Sequence, residues 1–276
     1  MIVVKTTQKL RQILSKNKKT VGFIPTMGAL HQGHLSLVRR SRRECGFVVV
    51  SIFVNPTQFG PGEDYSKYPK DFAKDKKLLK SEKVDVIFCP SAKEIYPDNF
   101  STYIYPKGLS AVLCGHSRPD HFGGVCTIVA KLFNIVSADV AYFGQKDYQQ
   151  ACIIKKMVRD LNFDLKIKVL PIVREVDGLA MSSRNQYLNK KERADAAVLY
   201  SSLKQAKILV KGGIRDPKKI IAEMKRIIVS KKNAKIDYVK IVDVINLQEI
   251  KKVEAKVLVA IAVYIGKTRL IDNVII

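Results

Sequence analysis

From about residue 20 to residue 173, continuous β-branched runs alternate with segments of helical period, and this alternation restricts the fold more than any other feature. The runs 20–24, 47–54, 84–88, 140–143 and 166–173 are continuous and β-branched instead of alternating apolar with polar, the pattern of strands buried on both faces of a parallel sheet. Between them, 35–45, 71–82, 123–136 and 147–161 carry apolar residues at helical spacing. A chain of βαβ units predicts an α/β fold, a Rossmann-like doubly wound parallel sheet that binds ligands at the carboxyl ends of its strands. After Arg174 the pattern changes. Asp177-Gly178 signals a turn, a helix is predicted over 190–211, Gly212-Gly213 ends it, and Asp216 or Pro217 opens another to about 229. Strands are predicted at 237–242, 256–265 and 268–275, the last two joined by a tight turn at Gly266-Lys267. Two domains are therefore expected: 1–175, Rossmann-like, and 176–276, a smaller C-terminal α+β domain.

Composition removes several function classes. The first residues, MIVVKTTQKLRQIL, lack a signal-peptide apolar run, and no stretch approaches the roughly 18–20 uncharged residues that span a bilayer. Five cysteines (45, 89, 114, 126 and 152) include no C-x-x-C pair, so reduced, mostly buried thiols are expected, with a cytoplasmic location and no membrane partner. The formal charge of +24 suggests an anionic partner. Its lysines are spread along the whole chain, without an RNA-binding aromatic signature or a dense basic tail. A solvated surface that lends some field to a nucleotide site is expected, and no nucleic-acid partner.

Chemistry concentrates at the ends of predicted strands. The first run leads into Met27, Gly28, Ala29, Leu30, His31, Gln32, Gly33 and His34, a glycine-bearing turn entering a helix. Such a turn offers free N–H groups and a positive dipole end to phosphate. Two of the chain's four histidines stand three apart in it; they can face phosphates as neutral donors or as cations, or simply cap the helix. A second cluster follows the fourth run: Gly144, Gln145, Lys146, Asp147 and Gln150. Lys146 offers a mobile charge and Asp147 an acceptor for ribose hydroxyls, while Asp147 and Gln150 also form a near-match to a capping box. Met181, Ser182, Ser183 and Arg184 could clamp an anion or form a polar loop. Gln58 lies in the rigid loop Asn55-Pro56-Thr57-Gln58-Phe59-Gly60-Pro61.

Taken together, PTMGALHQGH, FVNPTQFGP, FGQKDYQQ and DGLAMSSRN, with RPDHFGGV at 118–125, resemble the pantoate–β-alanine ligases in order and spacing along essentially the whole chain. The H-x-G-H turn alone indicates only the wider nucleotidylyltransferase superfamily, which includes class I aminoacyl-tRNA synthetases. Asp120 and Lys70 stand where the resemblance leads one to expect glycine and arginine, and Gln145 where glutamate is common. The resemblance implies an AMP-forming ligase making an amide bond between an acid and an amino acid. Pantoate attacks the α-phosphate of ATP, pyrophosphate leaves, and β-alanine attacks the pantoyl adenylate. It implies His34 as the catalytic proton donor. ATP contacts are implied from Met27 to His34 throughout, from Gly144, Gln145, Lys146 and Asp147, from Val173, and from Met181, Ser182, Ser183 and Arg184. Gln58 and Gln150 would hold pantoate, Gln58 also meeting β-alanine, since amides bind a carboxylate without adding a nucleophile. Mg2+ is expected on the ATP phosphates, with no protein ligand named. The second domain and the 182–185 loop would close over the reactive adenylate, and a homodimer through the N-terminal domain is implied.

Two other readings share parts of this pattern. A nucleotidylyltransferase would use the same histidines but leave AMP on its product. A tRNA-charging or RNA-binding protein would use the basic surface, although no anticodon-type domain is evident in the last hundred residues.

Overall fold

The computed structural model describes residues 1–276. The first part runs β1 (Ile2–Val4), α1 (Thr7–Leu14), β2 (Val21–Thr26), α2 (Gln32–Glu44), β3 (Phe47–Ile52), α3 (Phe72–Ser81), β4 (Val86–Phe88), α4 (Ala92–Ile95), α5 (Cys114–Ser117), α6 (His121–Val136), β5 (Val140–Gly144), α7 (Tyr148–Asp160) and β6 (Lys166–Leu170). The six strands form one sheet in the order β1-β4-β3-β2-β5-β6, parallel throughout. The chain winds outward from β2 in both directions, so the order reverses between β2 and β5. These two strands pair only at Gly22–Val140 and Phe23–Ala141. Beyond that point their carboxyl ends part, opening the crevice where a doubly wound sheet takes its ligand.

The predicted elements are present, with shifted ends. β6 stops at Leu170 because Pro171 has no N–H to continue the ladder. β1 and α1 were not among the predicted elements; three residues at a sheet edge are too few to show a period. α6 buries 13 of its 16 residues and so behaves as a core helix, packed with β2 and β5 through Phe133, Phe23 and Phe143. On the opposite face, Leu35, Leu37 and Val38 of α2 and Leu79 of α3 cover Ile24, Val48, Val50 and Ile87. All five cysteines are free thiols.

The second part contains α8 (Lys190–Ala196), α9 (Val198–Lys211), α10 (Pro217–Val229), β7 (Ala234–Asp243), β8 (Val257–Ile265) and β9 (Thr268–Ile275). The single helix expected over 190–211 is two. The Ala197 amide bonds to Asp195 O while its φ and ψ, −60° and −18°, stay right-handed. The break is a change of hydrogen-bond register, with no proline or glycine to signal it. The antiparallel sheet β7-β8-β9 buries both faces of β8. Val257, Val259, Ile261, Val263 and Ile265 pack with α9 and α10. Leu258 and Ala260 point the other way, toward Val112, Leu113, Tyr148 and Cys152 of the first part. This explains a continuous apolar run in an antiparallel strand: its second face is covered by the other sheet's domain.

Candidate active site

The turn after β2 is held by atoms far away in sequence. Gly28 and Ala29 adopt φ of 82° and 50°. The carboxylate of Asp75, on α3 and 1% exposed, accepts from Ala29 N at 2.9 Å and Leu30 N at 2.8 Å. Burial raises the Asp75 pKa, opposed by those two amides. Nothing in the sequence singles out Asp75.

His31 and His34 cap α2 together. His31 Nδ1 accepts from Gly33 N at 3.1 Å, and His34 Nδ1 accepts from His31 N at 3.4 Å, closing a capping box with imidazoles in place of the usual hydroxyl and carboxylate. A Cβ on residue 33 would lie 2.8 Å from the His31 ring, so Gly33 is required for this closure. The rings stand 4.1 Å apart. With both Nδ1 atoms accepting, each neutral ring carries its proton on Nε2. Burial, then Lys146, lowers His31 to about 4. Burial, the neighbouring His31 and Lys146 hold His34 well below the usual histidine range. Both histidines are thus neutral donors near pH 7. The capping role and the ligand-facing role are compatible because they use different nitrogens.

Lys146 and Asp147 lie in a 3-10 turn, Gln145–Asp147, between β5 and α7. The capping-box reading of Asp147 and Gln150 does not hold: Asp147 makes no side-chain capping bond. Its carboxylate instead lies 3.6 Å from Lys146 Nζ. The preceding glutamine is the structural one. Gln149, 6% exposed, donates to Leu109 O and Val112 O and accepts from Cys114 N. Gln150 is half-buried, free of such bonds, and lines a cavity of about 860 Å3 together with Lys146, Asp147, Ser182 and Arg184. That volume lies in the range of small-molecule sites. Leu258, Tyr264 and Arg269 form its far wall, so both parts of the chain build it.

Gln58 ends the 3-10 turn Pro56–Gln58. Its Oε1 accepts from Asn55 Nδ2 at 3.2 Å, and its Nε2 donates to Met27 Sδ at 3.0 Å. Its backbone O accepts from His121 Nδ1 at 2.7 Å and Arg118 Nη2 at 3.3 Å. Arg118 is in turn paired with Glu63. A Cβ at Gly124 would fall 2.1 Å from Thr57 O, so α6 approaches this turn as closely as glycine permits. Met27, Gln58 and the two histidines lie outside the wall of the large cavity.

The remaining predicted residues sit on the connection from β6 to α8. Arg174 and Ala180 bridge, and Met181 N donates to Val173 O at 3.0 Å, which brings Val173 and Met181 together. Met181 Cβ lies 3.9 Å from where a Gly33 Cβ would be, placing this hairpin beside the histidine turn. Ser182 Oγ accepts from Arg184 N. Ser183 is buried and bonded to Tyr68. Arg184 grips Asp64 through Nε at 2.9 Å and Nη2 at 2.7 Å, leaving Nη1 unbonded. Gly144 ends β5, and Gln32 is exposed without a hydrogen bond. The functional partners that sequence reading missed are Asp64, Asp75 and Asn273, whose side chain holds the 145–147 turn. No cluster of three or more His, Cys, Asp or Glu side chains could hold an ion unaided, and no helix is long and apolar enough to cross a membrane.

Residues 2–275 match the family model described as pantoate-beta-alanine ligase. A protein named pantothenate synthetase from Thermotoga petrophila is 55% identical over 279 residues, covering 100% of both chains. One of the same name from Caldicellulosiruptor saccharolyticus is 53% identical over 100% of this chain and 99% of its own. The crystal structure of pantothenate synthetase from Thermus thermophilus superposes with a TM-score of 0.96 at 43% identity, covering 99% of each chain. That of the pantoate-beta-alanine ligase from Francisella tularensis, complexed with beta-gamma ATP and β-alanine, gives a TM-score of 0.84 at 37% identity over 99% of this chain and 97% of its own.

Proposed function

The chain belongs to the pantoate–β-alanine ligase family, and on that premise we propose that it joins pantoate to β-alanine through a pantoyl adenylate, releasing pyrophosphate and then AMP. The observation that carries this reading is the pair of imidazoles at the β2–α2 turn, fixed by backbone bonds to Nδ1 and presenting Nε2–H beside Lys146 at the sheet's switch point. A pantoate carboxylate oxygen attacks the α-phosphorus while the bond to the bridging oxygen of pyrophosphate breaks. The amine of β-alanine then attacks the acyl carbon, AMP leaves with the bonding pair, and the ammonium proton is lost.

The first step builds negative charge on the transferring and leaving groups, and preorganised donors lower its barrier. Neutral His34 suits hydrogen-bond donation better than the proton donation implied by resemblance, because its low pKa leaves little imidazolium in the free enzyme. His31, Lys146 and the free Nη1 of Arg184 would share the phosphates, Asp147 the ribose, and Gly144, Gln145, Val173 and the 27–34 turn the rest of ATP. Gln58 and Gln150 would hold pantoate. Mg2+ would ride on the phosphates, neutralising their charge, since no protein cage is built for it. We further propose a domain division near residue 175, closure of the second domain over the adenylate, a homodimer and a cytoplasmic location.

The test is a single-turnover reaction with ATP and pantoate alone. Pyrophosphate should appear in a burst without free AMP, and AMP only after β-alanine is added. Absence of pyrophosphate until β-alanine is present would sink the adenylate. A dinucleotide product would make the protein a nucleotidylyltransferase.

A further inference from the structure

The turn that carries Lys146 and Asp147 is gripped from the other domain. Asn273, on β9 and 3% exposed, donates from one Nδ2 to two successive carbonyls, Gln145 O at 3.0 Å and Lys146 O at 3.0 Å. Its Oδ1 accepts from Gln145 Nε2 at 3.3 Å. Asn273 is itself anchored. Its backbone N donates to Asp272 Oδ1 at 2.7 Å, and Asp272, 2% exposed, holds Arg174 at 2.6 and 3.0 Å. Arg174 stacks on Tyr200 at 4.1 Å and donates to Gly178 O, tying the interdomain connection to the same point.

We propose that Asn273 is a positioning residue for the first chemical step, through which the C-terminal sheet sets where Lys146 and Asp147 stand. A single amide donating to two consecutive carbonyls fixes the tilt of both peptide planes, and these determine the direction of the intervening Cα–Cβ bond. Asn273 borders the cavity, but its side-chain donor and acceptor are both taken up by the 145–147 turn, so it acts through the backbone of that turn. All of its hydrogen-bonding atoms are used within 3.3 Å, so a substitution that keeps its volume still breaks the geometry. Placement matters at this scale, because a misplacement of about 1 Å can cost on the order of 100-fold in rate.

The inference rests on the reading of Lys146 as a phosphate-facing cation, so the experiment carries its own control. Asn273→Asp keeps the volume but turns a carboxylate toward two carbonyls, and Asn273→Ser removes the reach. Each is compared with Lys146→Ala and with the Lys146→Ala/Asn273→Ser double variant. The measurements are kcat for pyrophosphate release at saturating substrates, the β-alanine KM, and Tm. Both Asn273 variants should lose roughly tenfold or more in kcat. The β-alanine KM should stay within about twofold, Tm should move only a few degrees, and the double variant should be no slower than Lys146→Ala alone, as coupled residues require. A near-normal Lys146→Ala enzyme overturns the role of the lysine. A damaged Lys146→Ala enzyme beside Asn273 variants within twofold of wild type overturns only the positioning role. Multiplicative losses in the double variant, or Asn273 variants that do not fold, also overturn it, because the contact would then be structural.

Discussion

The proposed division of work between the two nitrogens of His34 can be separated by mutation. Nδ1 closes the cap on α2 while Nε2–H is left to meet charge. His34→Ala removes both functions, costing about 1 kcal/mol of capping and on the order of 10² to 10³ in the rate of adenylation. His34→Asn can place an amide oxygen where Nδ1 accepts from His31 N, but its shorter side chain puts no donor at the Nε2 position. The asparagine variant is expected to melt close to wild type and be as inactive as the alanine variant; thermal melts beside pyrophosphate release read both, and an active asparagine variant would end the donor role. Gln150 poses the opposite case, a side chain with no structural employment. Gln150→Ala should leave Tm within a few degrees and raise the pantoate KM by roughly one to two orders of magnitude, the equivalent of about 1.5–3 kcal/mol for a hydrogen bond to charge. Unchanged steady-state kinetics would remove Gln150 from the substrate site.

At the scale of elements, α6 starts from a strained residue. Asp120 precedes its first turn with φ 65° and ψ −10°, in the left-handed region, and makes no capping bond. The glycine expected here from the resemblance would fit that backbone, and aspartate tolerates it at a cost. Asp120→Gly is expected to stabilise the protein by about 0.5–1 kcal/mol after the entropy of the more flexible unfolded chain is set against relief of strain, whereas Asp120→Val should destabilise it. Denaturant titration decides the matter, with a lower midpoint for the glycine variant as the contrary result. The same helix sets the Gln58 turn through the close approach at Gly124, so strain at its start lies about one turn from the contact that places Gln58, the amide proposed to hold pantoate.

For the whole molecule, half-buried neutral histidines tie stability to pH. Burial lowers His31 and His121 to about 4, and His34 lies well below the ordinary value of 6.5. Between pH 6.5 and about 4 the unfolded chain binds protons at these sites and the folded chain does not. The folded state therefore loses stability as pH falls through that window, by up to about 1.4 kcal/mol per pH unit for each histidine. Carboxylates such as Asp64 act in the same direction at lower pH: burial opposes its ionisation, but Arg184 holds its pKa below the usual range. Melting temperature should be highest above pH 6.5 and decline steadily toward pH 4, and His31→Gln should flatten the decline. A flat profile between pH 7 and 5 would show that these rings titrate freely.

What the residues determined alone was local. Continuous β-branched runs and helical spacing place the sheet's strands and most helices, because burial on two faces leaves an unbroken apolar run and burial on one helical face a 3.6-residue period, both visible in a short window. The glycine-bearing histidine turn, the Lys146–Asp147 turn and the 182–185 segment are legible for the same reason, as compact motifs at strand ends. Tertiary structure alone decided what holds those motifs. Asp75 reaches the β2 turn across 46 residues, Asp64 meets Arg184 across 120, and Asn273 meets Lys146 across 127. None of the three stands in a motif, and no pattern marks them, because a single polar side chain on a helix, loop or strand acquires its role from whatever the fold brings beside it. The two readings of Asp147 and Gln150 were separable only in three dimensions for the same reason: capping and ligand binding ask for the same residues at the same spacing, and only the direction of the carboxylate and the absence of a capping bond distinguish them.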